Sequence, residues 1–164
     1  MLAQTNTSFP GKSGTTYLER WVNIGSKVPD VGIRQTLEGI PDGKYCLRAA
    51  VGNIQQKGTN STVNAGEKQT GVTLYAGIYD MPVDTMKAHK DLYFTVVDGQ
   101  VTIGFKAENA TGNWICLDNV RLYYLGGNTP EDYAAYLSRY ADDVRKELQA
   151  KHIHLRSARR WKQP

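Results

Sequence analysis

From Gly32 to Tyr124 apolar and polar residues alternate in short runs separated by turn chemistry, the signature of strands with one buried face. In KYCLRAAV, residues Tyr45, Leu47, Ala49 and Val51 point one way, just after the Ile40-Pro41-Asp42-Gly43 turn. In DLYFTVVDGQVTIGFK, Leu92, Phe94 and Val96 alternate before Asp98-Gly99, and Val101, Ile103 and Phe105 alternate after it, which predicts a β-hairpin on a two-residue turn. The last run, NWICLDNVRLYY, places Ile115 and Leu117 in one register and Val120, Leu122 and Tyr124 in the next. The break at Asp118-Asn119 predicts a bulge.

Gly126-Gly127 ends this pattern. Thr129-Pro130-Glu131-Asp132 reads as an N-cap, a first-turn proline and an acidic first turn, and Tyr133, Leu137, Tyr140, Val144 and Leu148 recur at helical spacing. Such an apolar stripe needs a partner, either the β domain or a further one. The expected architecture is all-β: an antiparallel sandwich over residues 1–127, followed by an amphipathic helix and basic tail over 128–164. Gly52 to Gly71 is almost without apolar residues and reads as a long loop, either a binding loop or a solvated one.

Composition narrows this picture. The chain of 164 residues, 40% hydrophobic, suffices for one real core and not two, and ten Tyr and sixteen Gly against three Phe suit a turn-rich β domain. No apolar run is long enough to span a membrane, and the first residues lack the pattern of a secretory signal. Residues 145–164 hold seven Lys/Arg against Glu147, a net +6 within a total of +4, so residues 1–144 carry −2. A solvated helix end explains that basicity better than a nucleic-acid contact. Cys46 and Cys116 are too few for a disulfide scaffold; they read as structural thiols, with a cross-strand disulfide left open.

Taken in order, QTNTSF, TYLERWV, PDVGIRQTLEGIPDGKYCLRAAVGNIQQ, FTVVDGQVTIGFKAENATGNW and ICLDNVRLYYLG resemble the carbohydrate-binding-module-like, galactose-binding-like jelly rolls of exported glycoside hydrolases and surface proteins of Bacteroidetes. The resemblance covers roughly residues 4 to 127. It implies a non-catalytic glycan-binding or targeting module of a larger extracellular, surface or periplasmic protein, with a polysaccharide or glycan as partner. A spacer or adhesion sandwich without a sugar ligand is the alternative. Relatives begin with a further strand, Asn-Pro-x-Phe-Glu, so the chain is expected to lack its first strand.

Sugars are held by an aromatic face that stacks on the pyranose and by amides or carboxylates that bond its hydroxyls. The resemblance puts Asn113 and Trp114 near the cleft at the sandwich end, though Trp114 reads equally as a core residue. In TYLERWV, Tyr17, Glu19 and Trp21 alternate against Leu18, Arg20 and Val22, so Tyr17 and Trp21 share a face, either a sugar platform or the buried set. Relatives often hold a structural Ca²⁺ at an acid in the last strand, a position matched by Asp118, with Asn119 beside it. No catalytic residue is nominated. His152 and His154 are two apart and cannot share a helix face, and no nucleophile elbow is present.

Overall fold

The computed structural model describes residues 1–5, 9–57 and 67–160, for residues 152–160 the backbone only. Residues 58–66 of the long loop expected from Gly52 to Gly71, and Trp161 in the basic tail, lie outside the described residues. Among the described residues, nine strands form two antiparallel sheets. In chain order they are β1 (Leu2–Gln4), β2 (Tyr17–Trp21), β3 (Val31–Glu38), β4 (Gly43–Ile54), β5 (Val72–Ala76), β6 (Tyr79–Pro82), β7 (Lys87–Val96), β8 (Gln100–Ala107) and β9 (Trp114–Gly126). The larger sheet runs β1-β2-β9-β4-β7 and the smaller β3-β8-β5-β6. The chain is therefore an antiparallel β-sandwich with a C-terminal helix.

Between the sheets lies the main core. Tyr45, Leu47, Ala49 and Val51 of β4 face Leu74 and Ala76 of β5 and Val101, Ile103 and Phe105 of β8 across it. The alternation in KYCLRAAV thus marks the inward row, but beyond Arg48 the strand's other row is buried as well. Ala50 and Ile54 join Phe9, Tyr17, Trp114 and Cys116 in a second apolar cluster on the outer face of the larger sheet. Gly52 belongs to this crowded side: a Cβ there would lie 2.4 Å from Cys116 Sγ. Gly52 to Ile54, read as the start of a loop, are the buried end of β4.

The expected hairpin is a corner. Asp98 and Gly99 both take positive φ, as a tight two-residue turn requires, yet β7 pairs with β4 in the larger sheet and β8 pairs with β3 and β5 in the smaller. Both strands turn their apolar rows to the same core from opposite sides, so alternation is equally satisfied by a crossing between sheets. The corner is fixed by the neighbouring turn: Gly99 N–H donates to Asp42 Oδ1 at 2.7 Å and Ile40 N–H to the Gly99 carbonyl at 3.1 Å.

The bulge in β9 is present. Arg48 pairs with Arg121 and Ala50 with Asp118, so β9 carries one extra residue there, and Asn119 adopts φ 50°. Leu117 and Leu122 both face the main core on either side of it. Beyond Leu117 the flank of β9 away from β4 has no strand partner among the described residues. There an apolar cleft of about 220 Å³ opens between the sheets, lined by Leu18, Ile33, Leu47, Leu74, Phe105 and Val120 among others.

Cys46 and Cys116 are buried free thiols. Cys46 pairs across β4–β9 with Tyr123 and Cys116 with Gly52, six positions apart along β4, far beyond disulfide reach. Desolvation holds the Cys116 thiol well above its ordinary pKa.

Across β4 and β7, Arg48 holds Asp91 by two parallel bonds of 2.6 Å. The guanidinium's hydrogen bonds, with its charge in support, lower the Asp91 pKa against the opposing pull of desolvation. A carboxylate depressed in the folded state stabilises above its unfolded pKa, near 4, and that contribution disappears as pH falls through the lower folded value. Asp91→Asn is therefore expected to lower the urea midpoint at neutral pH and to lose less stability than the wild type on acidification to about pH 2. Equal acid sensitivity in both proteins would contradict this.

Residues from Asn128 onward form a second compact unit built on α1, Pro130–Arg160. Its N-terminus closes as a capping box: Asp132 N–H donates to Thr129 Oγ1 at 3.3 Å, and Thr129 N–H to Asp132 Oδ2 at 2.9 Å. The stripe Tyr133, Leu137, Tyr140, Val144 and Leu148 is exposed. No helix among the described residues is long and apolar enough to cross a membrane.

Candidate functional site

Of the residues nominated from sequence, Trp21, Asn113 and Trp114 meet at one end of the sandwich, where β2 ends and β9 begins, but they do different work. Trp114 pairs with Trp21 across β2–β9, yet Trp114 is 1% exposed and Trp21 48%. The Trp114 ring lies in the outer-face cluster, 6.5 Å from that of Tyr17, and its indole N–H donates to Glu19 Oε2 at 2.7 Å. Both ring faces are committed to packing, so Trp114 has no surface for a sugar.

Tyr17 is corrected in the same way. Tyr17, Glu19 and Trp21 do share the outer face of β2, and the row grades from buried to exposed along the strand. Tyr17 is 2% exposed, its ring centroid 4.9 Å from that of Phe9, and its hydroxyl donates to Glu19 Oε2 at 3.2 Å. Desolvation, then the neighbouring Glu19, raise its pKa well above that of a free phenol. The carboxylate is enclosed by donors rather than paired with an arginine: it also accepts from Gln4 Nε2 at 3.1 Å.

Asn113 is fully buried and acts as a brace. Its Nδ2 donates to the Val22 carbonyl at 2.9 Å and to Gln56 Oε1 at 3.0 Å, while its Oδ1 accepts from Gln56 N–H at 2.7 Å. Backbone bonds from Val22 N–H to the Asn113 carbonyl, and from Asn113 N–H to the Ile54 carbonyl, tie the same three segments. Gln56 Oε1 in turn accepts the Trp21 indole N–H at 2.7 Å. One amide chain, Asn113 to Gln56 to Trp21, therefore holds an exposed indole at the rim of the sandwich. Gln56 was not singled out in the sequence, where it is one of several polar residues after Ile54; only the cross-strand pairing reveals its role.

Asp118 and Asn119 serve the loop before β2. Asp118 Oδ2 accepts from Ser13 N–H at 2.6 Å, Asn119 Nδ2 donates to the Gly11 carbonyl at 3.2 Å, and Asn119 Oδ1 accepts from Arg121 Nε at 2.8 Å. Ca²⁺ requires six to eight oxygens. Among the described residues this corner offers one carboxylate, the Gly11 carbonyl, an amide that presents N–H, and a guanidinium alongside, which do not fit such a shell. Among the described residues no group of three or more His, Cys, Asp or Glu could hold a metal ion.

A second concave region lies on the outer face of the smaller sheet, a polar hollow of about 400 Å³ lined by residues that include Asp30, Arg34, Tyr75, Lys106 and Glu108. Cross-strand register lines up Tyr75, Gly104 and Arg34 over β5, β8 and β3. A Cβ at Gly104 would come within 2.4 Å of the Tyr75 ring, so only glycine lets that ring lie across β8.

No protein-family model matches the chain, and no curated protein matches it. Among solved structures, the sandwich is similar to TmCBM61, a carbohydrate-binding module solved in complex with β-1,4-galactotriose. The two share 16% sequence identity at a TM-score of 0.52, over 74% of this chain and 80% of that one. The likeness is one of fold: the chain is built as a carbohydrate-binding-module-like β-sandwich.

Proposed function

We propose that the sandwich is a non-catalytic glycan-binding module that targets a larger exported polysaccharide-degrading or surface protein to its ligand, with Trp21 as the stacking platform. The observation that carries this reading is the half-exposed indole held in place by Gln56, which Asn113 braces from the buried side. An indole fixed before the ligand arrives loses little rotamer entropy on binding, and its face matches the apolar side of a pyranose. The fold likeness to a module solved with a galactotriose supports a glycan as the ligand and makes β-1,4-galactan the first probe.

Affinity electrophoresis through galactan tests this. The wild type is expected to be retarded, and Trp21→Ala to lose at least about tenfold in affinity, consistent with loss of a stacking aromatic, with its thermal midpoint unchanged because the ring is not part of the core. Absence of retardation by galactan and other neutral polysaccharides would instead favour a spacer or adhesion sandwich without a sugar ligand.

A further inference from the structure

We infer that the hollow on the outer face of the smaller sheet is a second ligand site, and that it takes a uronate-bearing glycan. The inference rests on the sandwich being a glycan binder and differs from the Trp21 end in place and in charge.

The floor of the hollow is strand backbone. Gly32 of β3 pairs with Lys106 of β8, and Arg34 of β3 pairs with Gly104, so two glycines leave β3 and β8 bare at neighbouring rows of the same face. Tyr75 from β5 covers Gly104 without sealing the hollow, because its ring is partly exposed and lies along the sheet. A flat aromatic over a backbone floor presents one broad face outward, the geometry on which a pyranose stacks.

The charges around that ring are unequally committed. Lys106 Nζ stands over the Tyr75 ring, 5.9 Å from its centroid, and is drawn toward the strand by both Glu108 oxygens at 3.0 and 3.1 Å. Asp30 Oδ1 accepts from Asn109 N–H at 2.8 Å. Arg34 is exposed and has no hydrogen-bond or ion-pair partner among the described residues. The uncommitted charge in the hollow is thus a guanidinium, whose planar fork matches a carboxylate bidentately. Tyr75 would take the sugar ring, Arg34 the carboxylate, and the free lone pairs of Asp30 and Glu108 the hydroxyls. A neutral sugar would leave the guanidinium without a partner.

Polygalacturonate is the probe, used with the full chain. Wild type is expected to be retarded in a polygalacturonate gel, Arg34→Gln to bind about tenfold more weakly, as for loss of a bidentate charged contact, and Tyr75→Ala to lose affinity comparably. Arg34→Lys should fall between, since it keeps the charge and loses the fork. The basic segment after residue 144 is the same in every variant, so its general attraction to polyanions is common to all arms, and polyglutamate should not distinguish Arg34→Gln from wild type. Galactan retention should be unchanged in Arg34→Gln. The inference is overturned if Arg34→Gln and Tyr75→Ala bind polygalacturonate as the wild type does, if the wild type is not retained, or if Trp21→Ala alone removes the binding. Loss of galactan binding in Trp21→Ala is a separate result and bears only on the sandwich end.

Discussion

Trp114→Ala is expected to cost about 3–5 kcal/mol of unfolding free energy, the range for deleting a large buried aromatic. The indole fills the cluster formed with Phe9, Tyr17, Ala50, Ile54 and Cys116, and β4 and β9 hold its walls rigidly in register, so the site cannot collapse to fill the space. Glu19 also loses its shortest donor. Trp114→Phe should recover most of the packing while leaving Glu19 short of one bond, a cost of about 1–2 kcal/mol relative to wild type. Urea denaturation measures both. Where Trp114→Ala remains folded, its galactan affinity should match that of the wild type. A fall in affinity without a fall in stability would return Trp114 to the ligand face.

Asn113→Ala should cost about 2–4 kcal/mol, because three side-chain hydrogen bonds disappear in a fully buried place. Here stability and binding should fall together. Gln56, released from its brace, no longer holds the Trp21 indole, so galactan affinity is expected to drop severalfold although Asn113 touches no ligand. Below the unfolding transition, the variant's exposed tryptophan should show faster anisotropy decay. Retained affinity and an immobile Trp21 would show that Gln56 positions the ring unaided.

Much of this fold was legible in the sequence because burial imposes a period of two. The inward row of β4, the parity change in β9 and the cap of α1 all depend on side chains within a few residues of one another, and local chemistry specifies them. Partners are less local. Leu92, Phe94 and Val96 announce a strand, and Asp98-Gly99 a tight turn, but nothing within that stretch states that β8 belongs to the opposite sheet. The candidate site suffered in the same way. Tyr17, Trp21 and Trp114 have similar side chains in similar alternation, and their exposure depends on Phe9 and the loop before β2, which the pattern does not place. The row of Tyr75, Gly104 and Arg34 comes from three strands separated by up to seventy positions and has no sequence signature.

The cluster of Phe9, Tyr17 and Trp114 leaves the sandwich unequally dressed, with a third layer of side chains over one sheet and none described over the hollow on the other. That asymmetry supplies a handle. The exposed Ser13 lies in the loop clipped to Asp118 through its backbone N–H, not its side chain, so Ser13→Cys would offer a surface thiol while Cys46 and Cys116 stay shielded. Protein tethered to a sensor or bead through that thiol would turn the bare sheet toward the liquid. Random coupling through amines would consume Lys106 in a fraction of the molecules and blunt the hollow.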